Sequence, residues 1–170
     1  MQDKTNLPKR KRLRLREYDY SSSGAYFVTI CVQDGQSILG RICDGAMILD
    51  AAGEIVDRYW KELVLHYPTI ALDSFVVMPN HVHGIIFLQP EDARTGLRPV
   101  PTLSDIVHAF KTFSANEINR QQGVRGQPVW QRGFYERVVR DDEELNRIRQ
   151  YIQDNPAQWE LDKENPEKNP

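Results

Sequence analysis

Two β-branched, apolar runs, at about residues 70–78 and 81–88, are separated only by Pro79-Asn80. Pro and Asn suit the centre of a tight turn, and so short a connection makes the runs two arms of an antiparallel hairpin. The second arm opens His81-Val82-His83-Gly84. Side chains alternate along a strand, so the two imidazoles point the same way and can hold one metal ion between them. A plainer reading stands beside this one, in which an imidazole is a hydrogen-bonded core residue.

The rest of the chain supplies a setting for the hairpin. Residues 25–33 (AYFVTICVQ) read as a strand, and 38–49 as a second hairpin whose turn is Asp44-Gly45. A helix is expected from near Asp50, with Ile55, Tyr59, Trp60 and Leu63 at helical spacing, ending at Tyr67-Pro68. After a Pro/Gly/Arg loop at 89–101, a second helix runs from Leu103-Ser104-Asp105 to about Gln122, offering Ile106, Phe110, Phe113 and Ile118 for burial. Residues 128–140 (PVWQRGFYERVVR) return to strand composition. Four acids, Asp141 to Glu144, open a last helix at its positive end, and Pro156 closes it. This order predicts an α+β fold of ferredoxin-like kind, one central antiparallel sheet flanked by helices, with a strand order that cannot be read from the sequence.

Charge is distributed unevenly. The net charge of −2 over 170 residues conceals six cations between positions 9 and 16 (Lys9, Arg10, Lys11, Arg12, Arg14, Arg16), whereas residues 17–170 hold 15 basic and 23 acidic side chains, a balance of −8. Such an arm suits a phosphate backbone, where each neutralised phosphate releases counterions; a solvated leader is the plain alternative. The division expected is a basic arm at 1–20, a single catalytic domain at 21–160 and an acidic, polar tail at 161–170. No apolar run approaches the roughly 18 residues of a membrane span, and no apolar stretch follows the basic start as a secretory signal requires, so a cytoplasmic location and no membrane partner are expected. Cys31 and Cys43 lack metal-type spacing and read as reduced, buried thiols.

The last helix carries a second polar pair. Leu145, Ile148 and Ile152 form its apolar stripe, while Tyr151 and Asn155 stand four apart on a neighbouring face, so that a phenol and an amide can enter one site. A tyrosine is a weak nucleophile at its ordinary pKa of about 10, but beside a cation that polarises a phosphate it can form a covalent ester. Lys111, Arg132 and Arg149 are candidates to clamp phosphate, each with a surface role as the alternative. Trp130, Phe134 and Tyr135 either pack within a strand or stack on unpaired bases.

VVMPNHVHGIIF, then WQRGFYERVVR, then YIQDNPAQW at a helix end resembles, in that order, the REP-associated tyrosine transposases, within the single-tyrosine insertion-sequence transposases of the HUH endonucleases. RLRLREYDYSSSGAYFVTICVQ is also similar to the opening of that family, so the resemblance spans roughly residues 12–160. It implies an HUH fold, Mg2+ or Mn2+ bound by His81 and His83 with the Asn155 amide oxygen as third ligand, and Tyr151 as the nucleophile. It further implies attack on a single-stranded DNA hairpin of the kind formed by repetitive extragenic palindromes, through a 5'-phosphotyrosine whose bond energy allows strand transfer. The basic arm and the three cations above would then contact DNA. Where the family often has a histidine, this chain has Arg137. A monomer is expected over a homodimer, in the bacterial cytosol or nucleoid. Two other classes compete: a domesticated palindrome-binding protein that does not cut, and a metal-dependent hydrolase that does not use the tyrosine.

Overall fold

The computed structural model describes residues 24–89 and 101–166. The basic arm with Lys9, Arg10, Lys11, Arg12, Arg14 and Arg16, most of the Pro/Gly/Arg loop and the last four residues lie outside the described residues. The elements are β1 (Gly24–Cys31), β2 (Gly40–Cys43), β3 (Ala46–Leu49), α1 (Ala51–His66), β4 (Ile70–Val77), β5 (His81–Leu88), α2 (Leu103–Gln121), β6 (Tyr135–Val139) and α3 (Asp142–Asp154). The expected class is observed, with an antiparallel sheet ordered β4-β5-β1-β6 and helices on both faces.

The histidine hairpin forms where the sequence places it, with the Met78 N–H donating to the His81 carbonyl across the turn at 2.8 Å. In the separate β2-β3 ribbon, Asp44 (φ 51°) and Gly45 (φ 74°) both take the left-handed conformation, as a two-residue turn matching the strand twist requires. Alternation along β1 and β5 then sorts the core. Tyr26, Val28, Ile30, Val82 and Ile86 face α1 and α2, where Ile55, Trp60, Leu63, Ile106, Phe110 and Ile118 meet them. On the opposite face Ala25, Phe27 and Ile85 receive Leu145 and Ile152 of α3. His81 and His83 share the period of Ile85 and therefore stand on the α3 face.

Two local features set this geometry. Gly84 leaves room for Trp60: a Cβ there would meet Trp60 Cζ2 at 2.3 Å, and the indole stacks on Phe75 at 4.5 Å. Register with β5 shifts by one residue between Leu72 and Phe75, so a bulge at Asp73-Ser74 keeps Leu72 and Phe75 on the Trp60 side.

Some details depart from the sequence reading. Phe113 is 52% exposed and stacks on His66, because it falls at the edge of the face defined by Ile106, Phe110, Ser114 and Ile118. The strand expected at 128–140 is confined to Tyr135–Val139; before it Trp130 is buried, donating Nε1–H to Ser114 at 3.0 Å, which removes it as a base-stacking platform. Cys43 is exposed and Cys31 only partly buried. Pro156 ends α3 but opens a 3-10 segment, Pro156–Leu161, instead of releasing the chain. Among the described residues no helix is long and apolar enough to cross a membrane.

Candidate active site

Thr29 lies opposite His83 in the β1-β5 register, and its Oγ1 is 2.8 Å from His83 Nδ1. His81 Nδ1 is 2.9 Å from Asn80 Oδ1. The orientation of that amide is fixed, since Asn80 Nδ2 donates to the carbonyls of Gly35 (3.1 Å) and Glu164 (2.7 Å), leaving Oδ1 as an acceptor. The proton of His81 therefore sits on Nδ1 and Nε2 carries a lone pair. That lone pair faces His83 Nε2 at 3.0 Å.

Both rings are almost completely enclosed, at 0% and 2% exposure. Burial pushes His81 down to about 4, against the opposing pull of the Asp162 carboxylate, and holds His83 well below its ordinary value, reinforced by His81 and Lys163. Two neutral imidazoles with facing nitrogens are a donor pair for a cation rather than a charged cluster.

Helix α3 delivers the phenol. Asp141 caps it by accepting the Glu144 N–H at 2.7 Å, and its apolar stripe seats it on the sheet. Tyr151 Oη is then 3.2 Å from His83 Nε2, with the ring edge-on to Phe27. Burial raises the phenol pKa above 10, Asp162 and Glu164 add to this, and the Asn155 side chain opposes it. Asn155, at the end of the helix, is 3% exposed, and its Oδ1 has no hydrogen-bond partner. The Asn155 side chain reaches the phenol, and its buried carbonyl oxygen without a hydrogen-bond partner is a hard donor of the kind a divalent cation takes.

The three cations from the sequence reading do not join this group. Lys111 Nζ donates to the carbonyls of Gln131, Arg132 and Gly133 at 2.6–3.2 Å, which uses all its donors on the segment leading into β6. Arg149 grips Asp73 at the β4 bulge through Nε (2.8 Å) and Nη2 (2.6 Å), and Arg132 is exposed away from the cleft lining. Instead, Arg137, Arg147 and Lys163 line a cleft of about 360 Å3 beside Tyr151, together with Phe27 and Tyr135. Arg137 pairs with Glu144. Arg147 had a readable signal, four residues before Tyr151 on the same helix face. Asp162, buried near His81, had none: Pro156 interrupts the helical period before it.

Residues 51–155 match a family model described as Transposase IS200 like. A Haemophilus influenzae relative described as an uncharacterized protein is 34% identical over 166 residues, covering 90% of this chain and 91% of its own. Another H. influenzae protein, which carries the name REP-associated tyrosine transposase, is 27% identical over 141 residues, 82% of this chain and 73% of that one. Among solved structures, a REP-associated tyrosine transposase bound to a REP hairpin is similar with a TM-score of 0.63 at 21% identity, covering 88% of this chain and 76% of the other. A Deinococcus radiodurans protein described as a transposase has a TM-score of 0.51 at 18% identity, covering 82% and 95%. At these identities the two structures speak to the fold.

Proposed function

The chain belongs to the IS200-like transposase family, a family of DNA-processing enzymes, and from that membership we propose that it cuts and rejoins single-stranded hairpin DNA through Tyr151. The observation that carries the reading is the phenol oxygen 3.2 Å from His83 Nε2, itself 3.0 Å from His81 Nε2. A nucleophile of a phosphorus-attacking kind thus stands beside a cation-ready donor pair. His81, His83 and Asn155 would hold Mg2+ or Mn2+. When bound, the ion supplies Lewis acidity to a phosphate oxygen.

The residues account for the remaining steps. Tyr151 Oη bonds to phosphorus as the bond from phosphorus to the 3' oxygen breaks; the phenol proton is lost, the 3' oxygen gains one, and the 5' phosphate stays on the tyrosine. Attack by a 3'-hydroxyl on that ester reverses the exchange and joins strands. Arg147 and Lys163 put positive charge along the cleft where the strand would run, and Tyr135, 41% exposed, offers a face to a base. The structural neighbour bound to a REP hairpin favours a palindromic hairpin as substrate. The basic arm would grip the foot of that hairpin.

The test is incubation of the full chain with labelled single-stranded palindromic DNA and Mn2+ or Mg2+. A denaturant-resistant protein–DNA adduct is expected, absent in Tyr151→Phe. An adduct persisting in Tyr151→Phe removes the assignment, cleavage without an adduct favours a hydrolase, and binding without cleavage favours a domesticated DNA-binding protein.

A further inference from the structure

The family match ends at residue 155, yet the chain beyond it returns to the histidines. After the 3-10 segment the backbone turns through Asp162, whose N–H donates to the Trp159 carbonyl (3.0 Å) and whose carbonyl accepts from the Asn165 N–H (3.2 Å). Asn165 Nδ2 also donates to the Trp159 carbonyl at 3.2 Å, and the Trp159 ring lies 6.1 Å from that of His81. Asn80 closes the arrangement by donating to the Glu164 carbonyl at 2.7 Å. The same amide that fixes the His81 proton therefore fastens this segment over the site.

The consequence is a carboxylate set in place by backbone rather than by a swinging side chain. The Asp162 side chain is 4% exposed. Its Oδ1 accepts the Glu164 N–H at 2.8 Å, which leaves Oδ2 facing His81 Nε2 at 3.9 Å. That contact is no hydrogen bond, for it is too long and the nitrogen carries no proton. A buried carboxylate oxygen aimed at a ring nitrogen from beyond hydrogen-bond distance leaves space for a cation between them.

The spacing suits one. Ligating atoms of His81, His83 and Asp162 all lie within 4.8 Å of one another. Donors about 2.2 Å from a shared ion stand roughly 3.1 Å apart when adjacent and about 4.4 Å when opposite. We propose that Asp162 is an anionic ligand of the divalent cation, carried into the site by the segment after α3 and held there by Asn80. The proposal rests on the reading of His81 and His83 as the cation site. Two imidazoles and an amide make an uncharged donor set that suits zinc or copper; a carboxylate adds a hard oxygen and a negative charge, tilting the site toward Mn2+ or Mg2+.

The test measures Mn2+ binding to the full chain without DNA, by calorimetry and by electron paramagnetic resonance. Asp162→Asn keeps the acceptor for the Glu164 N–H and is expected to weaken Mn2+ binding by about 10- to 100-fold, the range seen when a metal site loses a supporting group, whereas Glu160→Gln on the exposed neighbouring turn leaves it unchanged. Wild-type affinity in Asp162→Asn overturns the proposal. His83→Ala separates the two readings: if it too binds Mn2+ normally, the histidine site itself fails. Should Asp162→Asn not fold, pulsed resonance on the wild-type protein with carbon-13 in its aspartate carboxylates decides, with hyperfine coupling to the bound Mn2+ expected and its absence overturning the assignment.

Discussion

At the scale of single residues, the site is defined by which atoms carry protons. Asn80 has no catalytic chemistry of its own, yet its two donated hydrogen bonds force its carbonyl toward His81 and so expose the Nε2 lone pair. Thr29 holds the His83 ring in place through Nδ1, but its hydroxyl can donate or accept and so does not by itself set which nitrogen carries the proton. Tyr151 shows the opposite bias: burial and two nearby carboxylates hold its proton on, above the ordinary 10. With phenolate as the attacking form, cleavage at saturating cation is expected to rise with pH, by up to about tenfold per unit while the phenol stays protonated. A flat rate between about pH 7 and 9 would contradict a rate-limiting attack by the phenolate.

At the scale of elements, the decisive object is α3, because its height over the sheet sets where the phenol sits. The apolar stripe, the Arg137–Glu144 pair and the Asp73–Arg149 fork attach it, and the last exists because the β4 bulge breaks the alternation at Asp73. The Arg149 guanidinium, with the Ser74 N–H, holds the Asp73 carboxyl down at about 2. A depressed carboxyl pKa stabilises the fold above the unfolded value near 3.8 and loses that contribution as pH falls from about 4 toward 2. Asp73→Asn is therefore expected to reduce the acid-side slope of stability between about pH 4 and 2 by the share of one carboxylate, measured by urea unfolding at stepped pH. It should also slow adduct formation, on the order of 10²-fold for an ångström-scale shift of Tyr151, with Mn2+ affinity retained. Equal rates in the two proteins would mean that the apolar stripe and the Arg137–Glu144 pair place the helix without the fork.

At the scale of the whole molecule, charge and chemistry occupy different parts of the chain. The cleft cations are few, and residues 17–170 carry a balance of −8, so under the proposed function attraction for DNA would fall heavily on the six cations at 9–16. Removing residues 1–16 is expected to weaken binding to single-stranded DNA and to flatten the salt dependence by up to about 4 in slope, at roughly 0.7 per neutralised phosphate. Unchanged affinity with an unchanged slope would assign recognition to the cleft instead.

The elements and the nearness of the histidines were legible in the sequence, since both follow from local rules: a two-residue turn forces a hairpin, a period of two puts His81 and His83 on one face, and a period of 3.6 puts Tyr151 and Asn155 on another. The strand order, the bulge that turns Asp73 toward Arg149, the diversion of Lys111 to three backbone carbonyls and the return of Asp162 to the histidines were not. Each is a contact between segments whose separation in the chain carries no period. A cation such as Arg149 looks the same in sequence whether it meets a phosphate or a carboxylate; the packing of one helix on one sheet decides which is within reach.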